Sequence, residues 1–239
     1  SMALKAKKHV VTSNKALVAA KGIELNRLAN ENGVSFLFSA ACGGAVPFLH
    51  NLSLAALDDE IESLGGILNG TTNFMLDSMQ SEGMDYAEAL SIAQKLGYAE
   101  ADPTADIDGD DIRRKLVISA NIAFDAVLKE EDIPMFGIRT VTDSDIATFK
   151  AKGFTCKLLA TAAAAENGVC AYIEPTLVSA DALEAAVPKN FNLITYEGVN
   201  MGRQSYYGQG AGQMPTAANV VQDCLTILGG ERGFYTDKA

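Results

Sequence analysis

Apolar residues recur at helical spacing over 15–31, at Ala16, Leu17, Ala20, Ile23, Leu25, Leu28 and Ala29, and Gly33 follows as a terminating glycine. Short apolar runs over 9–12 and 34–41 flank this helix and predict strands. The β-α-β order suits a parallel pair. Further on, the pattern predicts a helix over 46–57, a strand over 61–68 and a helix from Thr71 to about Met79. Helices over 86–96, closed by Gly97, and over 111–124 enclose an acidic loop, 102–110. The second half changes character. Residues 153–165 and 168–177 read as antiparallel strands around Glu166-Asn167-Gly168, an Asn-Gly hairpin signal. Shorter strands over 192–198 and 203–208 lead into a glycine loop, 208–212, and a last helix over 215–228. The expected fold class is α/β (α+β), without repeats and without a Pro/Ser-rich linker.

Composition narrows the field. A chain of 239 residues holds one large domain or two small ones. With 48% hydrophobic and 21% charged residues it is globular rather than disordered. The net charge of −11 argues against nucleic acid as a partner. The apolar run 158–165 is far short of the roughly 20 residues of a membrane span. Cys42, Cys156, Cys170 and Cys224 lie far apart, and His9 and His50 are the only histidines, which argues against zinc. The same cysteine usage suits a reducing, cytoplasmic setting. Cys42 reads as a nucleophile or as a small core thiol, and the absence of a histidine dyad motif favours the thiol.

Candidate chemistry is densest between Gly97 and Lys115. An EF-hand loop with Gly109 at its sixth position would start on Thr104 and end on Lys115, neither a carboxylate, so calcium is rejected. Asp110 is expected to cap the helix that follows. Asp111 and Lys115 are then i and i+4 on one face. Two readings stay open on these residues alone. One is a solvent-facing ion pair. The other is a site where carboxylates bind an ammonium group and a lysine exchanges a proton with a hydroxyl or carbonyl oxygen.

Ala93-x-x-x-Gly97-Tyr98 followed by Asp102-Pro103-x-x-Asp106-Ile107-x-Gly109-x-Asp111-x-x-x-Lys115 resembles the signature of homoserine dehydrogenases. Val11-Thr12-Ser13-Asn14-Lys15-Ala16, Gly66-Ile67-Leu68-Asn69-Gly70-Thr71-Thr72-Asn73 and the glycine loop with Pro215-Thr216-Ala217 resemble further segments of that family. The resemblance implies a catalytic and dimerisation domain over 41–214, a mixed sheet with helices on one face. It implies that 3–40 is the last β-α-β edge of a dinucleotide-binding domain and that 215–239 returns toward it. No G-x-G-x-x-G precedes this edge, so the chain is expected to begin inside a larger protein and to be inactive by itself.

The implied reaction is NAD- or NADP-dependent interconversion of L-homoserine and L-aspartate 4-semialdehyde. The resemblance makes Lys115 the general acid/base and Lys15 the second active-site lysine. Glu100, Asp111, Asp106, Tyr98 and Thr72 would bind the amino-acid substrate. Ser13, Lys15, Gly97, Gly210 and Gly212 would meet the cofactor, and the glycine loop running into Pro215 suits an anion at a helix start. Some members bind sodium through a segment matching 39–47, with backbone carbonyls at Cys42, Gly44 and Val46. Ser39 replaces the usual glutamate there, which puts the ion in doubt. A homodimer is implied through sheet-to-sheet pairing. The competing readings are a dihydrodipicolinate-reductase-like enzyme and a non-catalytic acidic binding module.

Overall fold

The computed structural model describes residues 1–230 together with Gly233 and Phe234. A first turn of helix, α1 (Met2–Lys5), buries Leu4. Strands β1 (Val10–Val11) and β2 (Phe36–Leu37) pair in parallel, and α2 (Lys15–Glu31) crosses between them. Asn14 starts α2 by accepting a hydrogen bond from the Leu17 N–H. Both strands are shorter than their apolar runs. After Leu37 the chain curls into a 3-10 turn, Ser39–Ala41, because the Ser39 N–H is drawn to the Asp223 carboxylate instead of a strand neighbour.

The main sheet is antiparallel in the order β5-β4-β3-β6-β7. Its strands are β3 (Ile61–Ile67), β4 (Phe154–Ala165), β5 (Gly168–Ser179), β6 (Phe191–Gly198) and β7 (Gly202–Gln209). The hairpin between β4 and β5 turns at Glu166 and Asn167, as the Asn-Gly signal implies. Alternation gives the sheet two unlike faces. Cys156, Leu158, Ala160, Ala162, Ile173, Ile194 and Tyr196 point to one face and join the main core. Helices α3 (Phe48–Asp58), α4 (Gly70–Glu82), α7 (Asp110–Phe124) and α8 (Asp143–Ala151) pack there. The opposite face presents a row across all five strands: Tyr172, Thr161, Gly65, Thr195 and Ser205. Among the described residues only its end is covered, where Val187 packs on Ile67 and Leu193.

Three helices, α1 among them, fall where none was expected. The acidic loop contains α6 (Thr104–Ile107), a single turn behind Pro103. Helix α8 starts at a capping box in which Thr142 and Asp145 serve each other's backbone, a short polar signal without an apolar run behind it. Helix α5 (Tyr86–Lys95) and its Gly97 follow expectation. Helix α9 (Gln213–Leu228) packs back on the 39–41 turn and on β1. Most of 231–239, within the expected return segment, lies outside the described residues.

Candidate active site

Helix α7 begins abruptly. Gly109 is its N-cap, in a left-handed conformation with φ 102° that joins α6 to α7. Asp110 therefore does not cap. It sits inside the first turn, where its carboxylate accepts from Arg113 at 2.6 Å and faces the positive end of the helix. One residue on, Asp111 points inward. Asp111 and Lys115 are only 7% and 6% exposed and lie 2.7 Å apart, so the solvent-facing reading of this pair fails.

The second lysine arrives from the other sheet. Lys15, in the first turn of α2, pairs with Oδ1 of Asp111 while Lys115 pairs with Oδ2. One buried carboxylate thus carries both ammonium groups. Lys115 Nζ also donates to the Leu68 carbonyl at 2.5 Å, at the end of β3. Burial acts most strongly on Asp111 and pushes its carboxyl up, but Lys115 and Lys15 together hold it well below the ordinary range.

Asn69 ties the acids together. Its Oδ1 caps α4 by accepting from the Thr72 N–H, and its Nδ2 donates to Asp106 Oδ1 at 2.8 Å and Asp111 Oδ2 at 3.0 Å. The Thr71 hydroxyl lies 2.5 Å from the Tyr98 carbonyl and 3.1 Å from Asp106 Oδ2. Burial raises the Asp106 carboxyl above the ordinary range, against the pull of these hydrogen bonds.

These groups line a cleft of about 790 Å³. Ser13, Lys15, Gly97, Tyr98, Glu100, Asp106, Asp111, Lys115, Gly210 and Gly212 all border it, as expected. Thr72 does not. It is 1% exposed and turned onto Asn69, and its neighbour Thr71 borders the cleft instead. Asn69 and Asn190 also line the cleft, and neither was singled out. The N-cap position of Asn69 before Gly-Thr-Thr was a usable signal, whereas Asn190 had none. The glycine loop has its own constraint. The buried Asn192 amide fills the space a Cβ on Gly210 would need, so the loop backbone can pass there only as glycine.

The loop at 39–46, the segment of the implied ion site, is held by side chains of α9. Ser39 is engaged by Asp223, the Gly44 carbonyl accepts from Asn219 Nδ2, and the Val46 carbonyl accepts from the Phe48 N–H at 2.8 Å. Cys42 is buried and its thiol is pushed up to about 12, chiefly by burial, which leaves it a core thiol rather than a nucleophile.

Comparison with known proteins places the chain in a family. The homoserine dehydrogenase family profile matches residues 47–225. Homoserine dehydrogenase of Synechocystis sp. is 44% identical over 227 residues, spanning 93% of this chain and 52% of that protein. The Bacillus subtilis enzyme is 42% identical over 226 residues, spanning 95% and 52%. The crystal structure of a homoserine dehydrogenase from Thiobacillus denitrificans superposes with a TM-score of 0.93 at 38% identity, over 98% of this chain and 56% of that one. A hyperthermophilic archaeal homoserine dehydrogenase in complex with NADPH gives 0.82 at 28% identity, over 96% and 67%. The fold is thus one carried by solved members of an oxidoreductase family. More narrowly, the chain belongs to the homoserine dehydrogenase family. It spans about half the length of the curated relatives it matches. Membership sets aside the reductase-like and acidic-module readings.

Proposed function

We propose that the full-length protein interconverts L-homoserine and L-aspartate 4-semialdehyde with NAD or NADP, and that this chain provides its substrate side. The observation that carries the reading is the pair of lysines held on one buried carboxylate at the cleft wall. A bound nicotinamide exchanges a hydride with the substrate carbon. Lys115 gives a proton to the substrate oxygen in reduction and takes it back in oxidation, turning from its Leu68 and Asp111 contacts. Lys15 stabilises the charge that develops on that oxygen. Asp111 positions both lysines, since its two oxygens are already engaged by them. Glu100, exposed at the rim and free of any lysine partner among the described ion pairs, is left to hold the substrate ammonium. Gly70 and Thr71, whose N–H groups open α4 without intrahelical partners, line the cleft and suit the substrate carboxylate.

The cofactor reading rests on the glycine loop with Ser13 and Gly97 on the same cleft, and on the NADPH bound by the archaeal relative. The sheet face that the described helices leave largely open suits a second copy of the protein as its partner. With no described helix long and apolar enough to cross a membrane and all four cysteines unpaired, we place the enzyme in the cytoplasm.

The test is a pair of substitutions in the full-length enzyme. Lys115→Ala should lower kcat by roughly 10²–10⁴ with substrate KM less affected. Lys115→Arg keeps the charge but stays protonated, so it should be nearly as damaging. Near-normal turnover in the Arg variant would refute proton transfer by Lys115.

A further inference from the structure

The segment 39–46 stands directly behind the candidate acid/base. The Cys42 thiol donates to the Lys115 carbonyl across 3.7 Å, so any shift of this segment presses on the turn of α7 that carries Lys115. Two residues of α9 hold the segment from the other side. The Asp223 carboxylate accepts from Ser39 Oγ at 2.5 Å and from the Ser39 N–H at 2.9 Å. Asn219 donates from Nδ2 to the Gly44 carbonyl. They are four residues apart, on one face of α9, and are 7% and 2% exposed for Asn219 and Asp223 respectively.

Set beside the ion site implied for this segment, most of the donors are already committed to protein partners. The position that would need a carboxylate is Ser39, and its hydroxyl is committed as a donor to Asp223. The carbonyls of Gly44 and Val46 are already engaged by N–H groups of Asn219 and Phe48. An N–H aimed at a carbonyl puts a partial positive charge on the side where a metal ion would put a full one. The side chains therefore fill electrostatically the role an ion would play, drawing the carbonyls and the turn together.

We propose that Asn219 and Asp223, rather than a bound monovalent cation, clamp the 39–46 segment behind α7, which makes them positioning residues for Lys115. The link to catalysis rests on the role given to Lys115 above; the clamp itself does not.

The experiment compares the full-length enzyme in sodium, potassium and tetramethylammonium chloride at equal ionic strength. The thermal midpoint and kcat should be the same in all three. A higher midpoint or activation in sodium or potassium would overturn the proposal, and this arm needs no variant. Asn219→Ala and Asp223→Asn are then assayed well below their midpoints. Displacing Lys115 should lower kcat roughly tenfold or more with substrate KM nearly unchanged, because proton transfer depends on sub-ångström placement more than binding does. Loss of stability with an intact kcat would reduce both residues to ordinary packing and defeat the positioning claim. If Lys115→Ala proved harmless, the proposed function would fail while the salt comparison still reported on the clamp.

Discussion

Asp111 keeps its charge in a buried position only because two ammonium groups and an amide satisfy it. Its lowered carboxyl contributes stability above the ordinary aspartate range, and that contribution is lost progressively as the pH falls from about 3.9 toward the lowered folded value. Asp106, five residues earlier, behaves oppositely, since burial raises it and no described cation bonds to it. Folding tightens its hold on a proton. Its effect on stability is therefore most favourable below the usual value of about 3.9, declines as the pH rises through the raised folded value, and is flat beyond. The stability advantage of wild type over Asp106→Asn should accordingly shrink as the pH rises from about 3.9 through the raised folded value, read from thermal midpoints over a pH series. A difference that does not vary with pH would mean Asp106 ionises as it does in water.

Helix α4 is placed by Asn69, which caps it with one end of its amide and binds two carboxylates with the other. The two duties can be separated. Asn69→Ala removes both and should cost about 1 kcal/mol for the cap, with a further penalty for the freed acids. Asn69→Asp preserves a capping oxygen but turns a donor into a third carboxylate facing Asp106 and Asp111. It should be the less stable of the two in thermal melts at neutral pH, although aspartate is an excellent cap in isolation. An Asp variant as stable as wild type would show that the cap, not the link to the acids, is what Asn69 provides. The same logic explains why α7 starts on Gly109. A left-handed residue is needed between α6 and α7, and without that corner Asp111 and Lys115 would not point into the cleft.

At the scale of the molecule, the sheet faces are unequal. Helices cover one, while the other offers a row of short side chains from Thr161 through Gly65 and Thr195 to Ser205. Flat faces of this kind pack against a second sheet about 10 Å away. Wild-type protein should sediment as a dimer, and Thr195→Arg should sediment as a folded monomer, because the new charge would be buried unpaired at the centre of the contact while leaving the helix side untouched. A wild-type monomer at every concentration tested would remove the dimer.

The hydrophobic pattern alone located α2, β3, α5, α7, the β4–β5 hairpin and α9 to within a few residues, because apolar spacing, caps and an Asn-Gly turn act over one or two turns of chain. The lysines and acids of the cleft were legible for a different reason, their resemblance to a family signature. The short helices α6 and α8 escaped because a single turn or a polar capping box leaves no periodic trace. What no local pattern contains is which distant groups meet. Lys15 reaches Asp111 across 96 positions, and Ser39 meets Asp223 across 184. Those meetings decided that Asp111 is a buried anchor rather than a surface ion pair and that β2 stops at Leu37. Each depends on where two elements cross, and only the packed core sets that crossing.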